Sequence, residues 1–296
     1  MAHIPSWQLF AVAVLIWGTT WHAILYQIGA LPPETGVALR FTLAALVVLG
    51  FAAWRGERLR YPWRTHAHFA LTGVFMYAVA YICVYHAERH VPSGLVAVGY
   101  SASPLIAGLA ARALWGTPVT RRFLAGGLLG MVGVALIFAP ELAQAGARPT
   151  AALGLLFTVA AVALSAVGAL AASRNQALGL PFWPAMGWGL AWGAAASLAI
   201  ALAAHPLPAA LPTAPSWWLS LAYLAVAGTV VAFAAFLTLQ HRLGPGPAST
   251  VGVMTPVVAL AVSAAFEGYR PGLATAAGAV CTVAGNWMML RKPAAG

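Results

Sequence analysis

Long apolar stretches, interrupted only by short polar turns, run through the whole of this 296-residue chain. Charged residues make up only 7% of the chain, aspartate is absent, and 62% of the residues are hydrophobic. Soluble domains carry about 25% charged residues, because a folded chain in water needs a polar surface. A chain with so little charge cannot cover a water-facing surface of ordinary size. The sequence therefore predicts a protein that folds in a lipid bilayer.

Ten of the apolar stretches are long enough to cross a bilayer as helices, which takes about 20 residues each. Turn and charge signals such as LPPE, WRGERLRYPWR, GTPVTRR and HPLPAALPTAPS separate them. We predict an all-α polytopic membrane protein with ten transmembrane helices. The predicted spans are about 7–27, 33–54, 67–88, 91–114, 120–139, 151–172, 182–204, 216–241, 246–266 and 271–290.

Basic residues are divided unevenly between the two sides that these spans would create. The side with both termini holds eleven of them, whereas the other side holds Arg89, Arg148 and Arg270. Because cytoplasmic loops carry an excess of Lys and Arg, both termini are predicted to be cytoplasmic. The ratio of 14 Arg to 1 Lys is typical of a GC-rich bacterial genome, so the membrane is expected to be a bacterial inner membrane. The eleven are Arg55, Arg58, Arg60, Arg64, Arg112, Arg121, Arg122, Arg174, Arg242, Arg291 and Lys292.

The net charge of +10 is the one feature that would suggest nucleic-acid binding. The charges form short clusters between apolar runs rather than one basic face, which excludes that interpretation. Cys83 and Cys281 lie inside apolar runs without metal or redox spacing. His86 and His90 are four residues apart, but no third metal ligand is visible. We predict no cofactor, no metal site and no nucleic-acid partner.

The second half of the chain repeats the first. When the sequence is shifted by 152 residues, spans 3–5 fall on spans 8–10 without a gap through two loops. The matched pairs are Gly94 and Gly246, Pro104 and Pro256, Gly116 and Gly268, Gly126 and Gly278, and Gly133 and Gly285. Each unit has five spans, an odd number, so the second copy must cross the membrane in the opposite sense. We predict two inverted five-helix repeats, 1–143 and 144–296, an architecture of transporters whose substrate site lies at the repeat interface.

The chain resembles the drug/metabolite transporter superfamily, in its ten-helix EamA-type branch, over nearly its whole length. The resemblance lies in WGTTW of span 1, ALRFTLAAL of span 2, GTPVTRRFLAGGLLGMVGVAL around span 5 and EGYRPGLATAAGAVCTVAGNW around span 10. In that family each repeat usually ends with a Gly-Glu pair and a further glycine ten residues after the first. This chain keeps the spacing but has Thr117 and Tyr269 where the glutamates stand, so no role of those carboxylates carries over. Within the family it is most similar to the aromatic amino acid exporters of the YddG type.

Aromatic residues share helix faces in two spans. Three tyrosines recur every four residues in span 3, namely Tyr77, Tyr81 and Tyr85. In span 1, Trp17 and Trp21 share a face with Thr20 beside them. Tyr77 and Trp17 lie near mid-membrane, where an interfacial aromatic belt is no explanation. We predict that these rings enclose a flat substrate ring, and packing between helices stays open as the alternative.

The predicted substrate-binding set adds residues of the second half and of span 4 to these aromatics. It consists of Trp17, Thr20, Trp21, Tyr77, Tyr81, Tyr100, Ser101, Ser165 and Phe233.

Pro104 and Pro256 are expected to kink spans 4 and 9. A proline inside a helix leaves the carbonyl four residues earlier without its partner, here that of Tyr100 and of Gly252. In lipid, such a carbonyl must be satisfied by protein or by water in a cavity. We predict that both kinks border a central cavity and take part in gating. A curved helix without ligand contact is the alternative.

Arg40 is predicted to lie about 10 Å inside span 2, at 1.5 Å per residue. An arginine inside a membrane is a functional candidate by default, although its long side chain could also reach out to Glu34 or Glu88. The arginine of this LRF segment recurs at the same place in the family. A structural role and substrate contact both stay open.

The predicted interior has few ionisable groups, which restricts the charge of the substrate. A phosphate ester would need several cations, and a cationic drug would need a buried carboxylate, which no span holds near its centre. A zwitterionic or neutral solute with an aromatic or apolar side chain fits better, and the family resemblance implies aromatic amino acids.

We therefore predict a monomeric membrane exporter that works by alternating access and facilitated diffusion. It is not expected to be an enzyme, because no set of catalytic residues lies within the spans. The alternatives are a proton-coupled carrier of broad drug and metabolite specificity and, in a different class, a small-solute channel.

Overall fold

The computed structural model of this chain describes residues 4–91, 93–137, 139, 151–206, 208, 210–266 and 272–290. Several residues used in the predictions lie outside this part: Arg148, Gly268, Tyr269, Arg270, Arg291 and Lys292. Helices joined by short turns make up the described residues, with no β-strand among them. Eight of the described helices are long and apolar enough to cross a membrane.

The helices follow the ten predicted spans in order. They are α1 (Ser6–Leu25), α2 (Pro33–Trp54), α3 (Trp63–Glu88), α4a (Ser93–Tyr100), α4b (Ser103–Trp115), α5 (Arg121–Ile137), α6 (Ala151–Ala177), α7 (Phe182–Ala204), α8 (Pro215–Leu243), α9a (Pro245–Ala248), α9b (Val251–Phe266) and α10 (Leu273–Leu290). The fourth and fifth spans are not among the eight. The fourth span consists of two helices, and α5 has 17 residues. The all-α prediction is confirmed for the described residues, whereas ten crossings and cytoplasmic termini stay predictions.

Prolines and glycines fix the ends of many helices. A proline stands at the N-cap or in the first turn of seven of the described helices: Pro5, Pro33, Pro62, Pro104, Pro181, Pro215 and Pro245. A proline costs little there, because the first N–H groups of a helix have no partner within the helix. Gly116 and Gly244 end α4b and α8 with positive φ angles of 68° and 85°, a conformation that a side chain would strain.

The fourth span is broken, but not by a kink at Pro104. The turn lies at Ser101 and Ala102, and Pro104 stands in the first turn of a new helix. The carbonyl of Ala102 accepts the N–H of Ile106 at 3.1 Å and so starts that helix. The prediction of a proline inside a continuous helix is therefore wrong at this position, because proline begins a helix as readily as it bends one.

The ninth span combines a break with a proline inside a helix. The break lies at Ser249 and Thr250, and Pro256 lies within α9b as expected. The hydroxyl of Thr255 donates to the carbonyl of Gly252 at 3.1 Å. The carbonyl that Pro256 deprives of its N–H partner is thus satisfied by a neighbouring side chain.

Short π-helical segments interrupt α3 and α8 at matching places. They span Gly73–Val79 and Val226–Val231, and a shift of 152 residues carries 73–79 onto 225–231. A π segment alters the backbone hydrogen bonding of its helix and frequently marks a functional site. In α8 the carbonyl of Gly228 accepts the indole N–H of Trp17 at 3.1 Å, and the hydroxyl of Thr229 donates to Leu224 at 2.8 Å.

Glycines bring α5 of the first half against α10 of the second half. A Cβ placed at Gly126 would collide with the backbone of Gly285, and one at Gly133 would collide with that of Gly278. Under the 152-residue shift Gly126 matches Gly278 and Gly133 matches Gly285. The contact is therefore reciprocal, as it is between elements related by a two-fold axis.

Large apolar side chains cover the outer faces of the helices. Examples are Leu46 on α2, Leu155 on α6, Leu219 on α8 and Val280 on α10, all of which are exposed. A surface of this kind suits hydrocarbon and would associate in water.

Candidate substrate cavity

A cavity with about 100 Å³ of space open to water lies among the middle parts of helices from both halves. Helices α1, α3, α4a, α4b, α6, α8 and α9b contribute to the wall. Seven of the nine predicted substrate-binding residues line it: Trp17, Thr20, Trp21, Tyr81, Tyr100, Ser165 and Phe233.

The structure places Tyr77 and Ser101 outside this wall. Tyr77 is fully buried behind it, with its ring 4.9 Å from that of Phe233 and 5.5 Å from that of Phe41. It faces a smaller pocket toward α6 and α7 instead. The spacing of four residues misled the prediction, because Tyr77 lies in the π segment of α3, where the residues per turn differ from those of an α-helix. Ser101 is buried in the turn between α4a and α4b.

Aromatic rings from both halves meet on the cavity wall. The Trp17 ring lies 5.0 Å from that of Phe233, edge to face, and 5.3 Å from that of Phe236. The Trp21 ring lies 5.7 Å from that of Tyr100. Such pairs contribute about 0.5–1.5 kcal/mol each beyond the area they bury. The hydrogen bond from Trp17 to Gly228 fixes one of these rings in place.

Two polar groups of the wall are not satisfied within the described residues. The indole N–H of Trp21 and the hydroxyl of Ser103 are buried there without a hydrogen-bond partner. Buried polar groups in proteins are nearly always hydrogen-bonded, so these two call for an explanation such as a ligand. Two other hydroxyls are satisfied, since Tyr100 and Ser165 lie 3.1 Å apart, oxygen to oxygen. Trp21 and Ser103 are therefore the lining residues whose polar groups lack a partner within the described chain.

Residues that sequence reasoning missed also line the cavity, among them Met76, Ser103, Phe236, Ser249 and Gly252. Phe236 carried a usable signal, because it stands three residues after Phe233 and so lies on the same helix face. The sequence brought Gly252 to the cavity only through the carbonyl that Pro256 frees. It lines the wall because its missing side chain lets the carbonyl of Tyr100 approach α9b. The broken fourth and ninth spans therefore meet at the cavity.

Arg40 is buried beside the cavity and does not extend to Glu34. Its Nε donates to the hydroxyl of Thr229 at 3.0 Å, and its guanidinium carbon lies 4.7 Å from the centre of the Tyr81 ring. Glu34 instead lies 2.7 Å from Nε2 of His86 and 3.4 Å from Nε2 of His205. The hydroxyl of Thr229, in α8 of the second half, thus accepts the hydrogen bond that Arg40 makes inside the protein.

His86 and His90 lie against the same aromatic ring, that of Phe157. Both imidazoles stack on the ring of Phe157, at 5.1 Å and 6.3 Å. No group of three metal-ligating side chains occurs among the described residues.

Comparison with known proteins assigns the chain to a family. The sequence model of the EamA-like transporter family matches twice, at residues 6–139 and 152–291. The uncharacterized inner membrane transporter YedA of Escherichia coli K12 is 29% identical over 268 residues, which cover 90% of this chain and 84% of YedA. Protein PecM of Dickeya dadantii is 25% identical, with 86% of this chain and 82% of PecM covered.

Two further comparisons concern substrate and fold. The aromatic amino acid exporter YddG of Ancylobacter novellus is 28% identical over 165 residues, which cover 55% of this chain and 56% of YddG. One crystal structure superposes with a TM-score of 0.76 over 96% of each chain, and at 22% identity it shows the fold alone.

These findings confirm the resemblance stated from the sequence, and with the apolar helices they confirm a multi-pass protein of the bacterial inner membrane. They indicate a transporter rather than an enzyme, which implies a small-molecule substrate. The chain belongs to the EamA-like transporter family.

Proposed function

We propose that this transporter exports aromatic amino acids and related zwitterionic or neutral solutes through its central cavity. The observation that carries the proposal is the composition of the cavity wall. Rings of Trp17, Trp21, Tyr81, Tyr100 and Phe233 line it beside two unsatisfied polar groups, and none of its lining residues is ionisable except the tyrosines. A wall of this kind suits a flat apolar side chain joined to a small polar end.

The same wall disfavours other substrate classes of the superfamily. A nucleotide sugar or phosphate ester would need several cations around its phosphates, and a cationic drug would need a carboxylate. The lining offers neither. One relative of this chain is named an aromatic amino acid exporter, which supports the same substrate class.

The transport mechanism that we propose is alternating access between two inverted repeats, 1–143 and 144–296. Three observations support it. The family model matches two successive parts of the chain. The π segments of α3 and α8 and the reciprocal glycine contacts of α5 and α10 agree with the 152-residue shift. The broken fourth and ninth spans meet at the cavity, where irregular backbone is tolerated within a membrane.

We propose further that transport is facilitated diffusion. Proton coupling usually needs a titratable group that faces each side in turn. Glu34 lies in the first turn of α2 and His86 in the last turn of α3. Both side chains lie outside the cavity wall. The solute gradient would then drive net movement in either direction.

Uptake into liposomes that contain the pure protein tests these proposals. We expect saturable uptake of labelled tryptophan that unlabelled phenylalanine and tyrosine inhibit and alanine does not. An imposed pH gradient should leave the initial rate unchanged. Uptake of a different solute class with no tryptophan uptake would refute the substrate proposal, and strict dependence on the pH gradient would refute facilitated diffusion alone.

A further inference from the structure

We propose that Arg40, acting through Tyr81, makes the cavity selective for solutes that carry a carboxylate. Arg40 would be a positioning residue, because Tyr81 stands between it and the cavity. The inference rests on the proposed function, since it concerns how the same cavity distinguishes an aromatic amino acid from the corresponding amine or amide.

The first step is the burial of a cation beside the site. Arg40 is 1% exposed and is the one buried Arg or Lys among the described residues. Its Nε is satisfied by Thr229, but its Nη1 is buried without a hydrogen-bond partner within the described chain. Leaving part of a buried guanidinium unsatisfied is costly, so a site that keeps it there has a use for the charge.

The second step is that Arg40 has no carboxylate partner in an ion pair. The ion pairs found among the described residues do not include it. Glu88 and Arg40 both act electrostatically on the hydroxyl of Tyr85, which is buried in the same region. Because the surroundings are otherwise apolar, a charge there is felt over a longer distance than in water.

The third step is the path from Arg40 to the cavity. The guanidinium carbon lies 4.7 Å from the centre of the Tyr81 ring, and Tyr81 itself lines the cavity near Phe233, with ring centres 6.2 Å apart. Arg40 also acts electrostatically on the Tyr81 hydroxyl. A cation next to a phenol polarises its O–H group and strengthens it as a hydrogen-bond donor. The Tyr81 hydroxyl thus offers a carboxylate a charge-assisted bond, whereas the same positive potential repels an ammonium group.

A purely structural role is the competing interpretation, because Arg40 joins α2 to α8 through Thr229. Three substitutions separate the roles. Thr229→Val removes this hydrogen bond and keeps the charge. Arg40→Gln removes the charge and keeps a polar side chain, and Arg40→Lys keeps the charge in a different shape.

The experiment measures inhibition of labelled tryptophan binding to the pure protein by tryptophan, tryptophanamide and indole-3-propionate. Tryptophanamide lacks the carboxylate charge, and indole-3-propionate lacks the amine. In the wild type we expect tryptophan to bind more tightly than tryptophanamide. In Arg40→Gln the ratio of the two affinities should fall about tenfold, which is the range for a hydrogen bond to a charged group. Arg40→Lys should retain most of the preference, and Thr229→Val should retain all of it.

Equal weakening of all three compounds in Arg40→Gln would overturn the inference and support a structural role, as would an unchanged ratio. If Arg40→Gln does not fold, Tyr81→Phe tests the same path without removing a buried charge, and an unchanged ratio there overturns the inference. Wild-type protein that binds no tryptophan refutes the proposed function and this inference together. If the wild type binds tryptophan and the ratio of tryptophan to tryptophanamide affinity is the same in Arg40→Gln, this inference alone is refuted.

Discussion

Trp17 joins the two halves of the chain at the cavity wall. Its ring packs against Phe233 and Phe236 of α8, and its N–H donates to Gly228 of the π segment. Trp7, in the same helix, is 69% exposed, so its ring lies on the outer surface. The two tryptophans thus form a matched pair for experiments, one facing the interior and one facing the surroundings.

We predict that Trp17→Phe lowers the free energy of unfolding by about 1 kcal/mol. The change keeps an aromatic ring but removes the donor to the Gly228 carbonyl, which leaves that carbonyl unsatisfied. Thermal unfolding of the purified protein measures the effect, with Trp7→Phe as the control that should not differ from the wild type. Equal stability of both variants would show that the hydrogen bond to Gly228 contributes nothing.

The candidate site was predictable where a residue type is costly in lipid. Trp17 and Tyr77 at mid-membrane needed an explanation from the sequence alone, and of these two Trp17 lines the cavity. Tyr77 was placed there by a spacing rule that assumes an α-helix, and the π segment breaks that rule. Ser103 was not predictable, because the break directly before it in the fourth span places it in the wall. The close approach of Tyr100 to Gly252 was not predictable either, since it depends on how two helices pack.

At the scale of the helices, two prolines that match in the sequence differ in their local structure. Pro104 stands in the first turn of α4b, whereas Pro256 stands inside α9b. Neither the composition around the two prolines nor their depth in the span predicts this difference, because it depends on where the preceding helix ends. The preceding helix α4a ends at Tyr100, directly before the turn that leads to Pro104, whereas α9a ends earlier, at Ala248, so that Pro256 falls inside the next helix.

Pro104→Ala and Pro256→Ala should therefore behave differently. We predict that Pro104→Ala changes the free energy of unfolding by less than about 0.5 kcal/mol, because its missing N–H has no role in the first turn. Pro256→Ala should raise the unfolding temperature, since it adds an N–H that Gly252 can accept, and should slow transport by straightening α9b. Thermal unfolding and uptake rates measure both effects. Matching results for the two variants would contradict the placement of Pro104 in a first turn and of Pro256 inside a helix.

Glycine contacts between α5 and α10 give a second prediction at this scale. Gly133→Ala would place a Cβ against the backbone of Gly278 and Thr282, whereas Gly50 in α2 has no heavy atom within 4 Å of such a Cβ. We predict that Gly133→Ala lowers the free energy of unfolding by about 1–3 kcal/mol, as overpacking does. Gly50→Ala should leave it unchanged or raise it slightly, because alanine favours helix. Chemical or thermal unfolding in detergent measures both, and equal values would contradict the close packing.

The whole molecule was largely predictable as a set of helices. The predicted spans 33–54 and 182–204 coincide with α2 and α7, because proline at one end and loss of apolar character at the other mark their limits. The breaks in the fourth and ninth spans were not predictable in place, since hydropathy is continuous across them. The cavity was not predictable in shape either, because it depends on how six helices pack around it.

The orientation of the chain in the membrane is a prediction about the whole molecule. Both termini are expected in the cytoplasm, because the loop with Arg55, Arg58, Arg60 and Arg64 lies on their side of the membrane. A green fluorescent protein fused to the C-terminus should fluoresce, whereas alkaline phosphatase fused there should be inactive. A fusion at Gly29, in the turn between α1 and α2, should give the opposite results. An active phosphatase at the C-terminus would contradict the predicted orientation.

Equilibrium binding of labelled tryptophan to the purified protein tests the central claim, that the aromatic cavity is the substrate site. The wild type should bind tryptophan saturably, with phenylalanine and tyrosine as competitors. Trp17→Ala should weaken binding at least about tenfold, because it removes ring contacts within the wall. Trp7→Ala, on the exposed face of the same helix, should bind as the wild type does. No saturable binding, or equal binding by Trp17→Ala and Trp7→Ala proteins that are both folded, would contradict the assignment of this cavity.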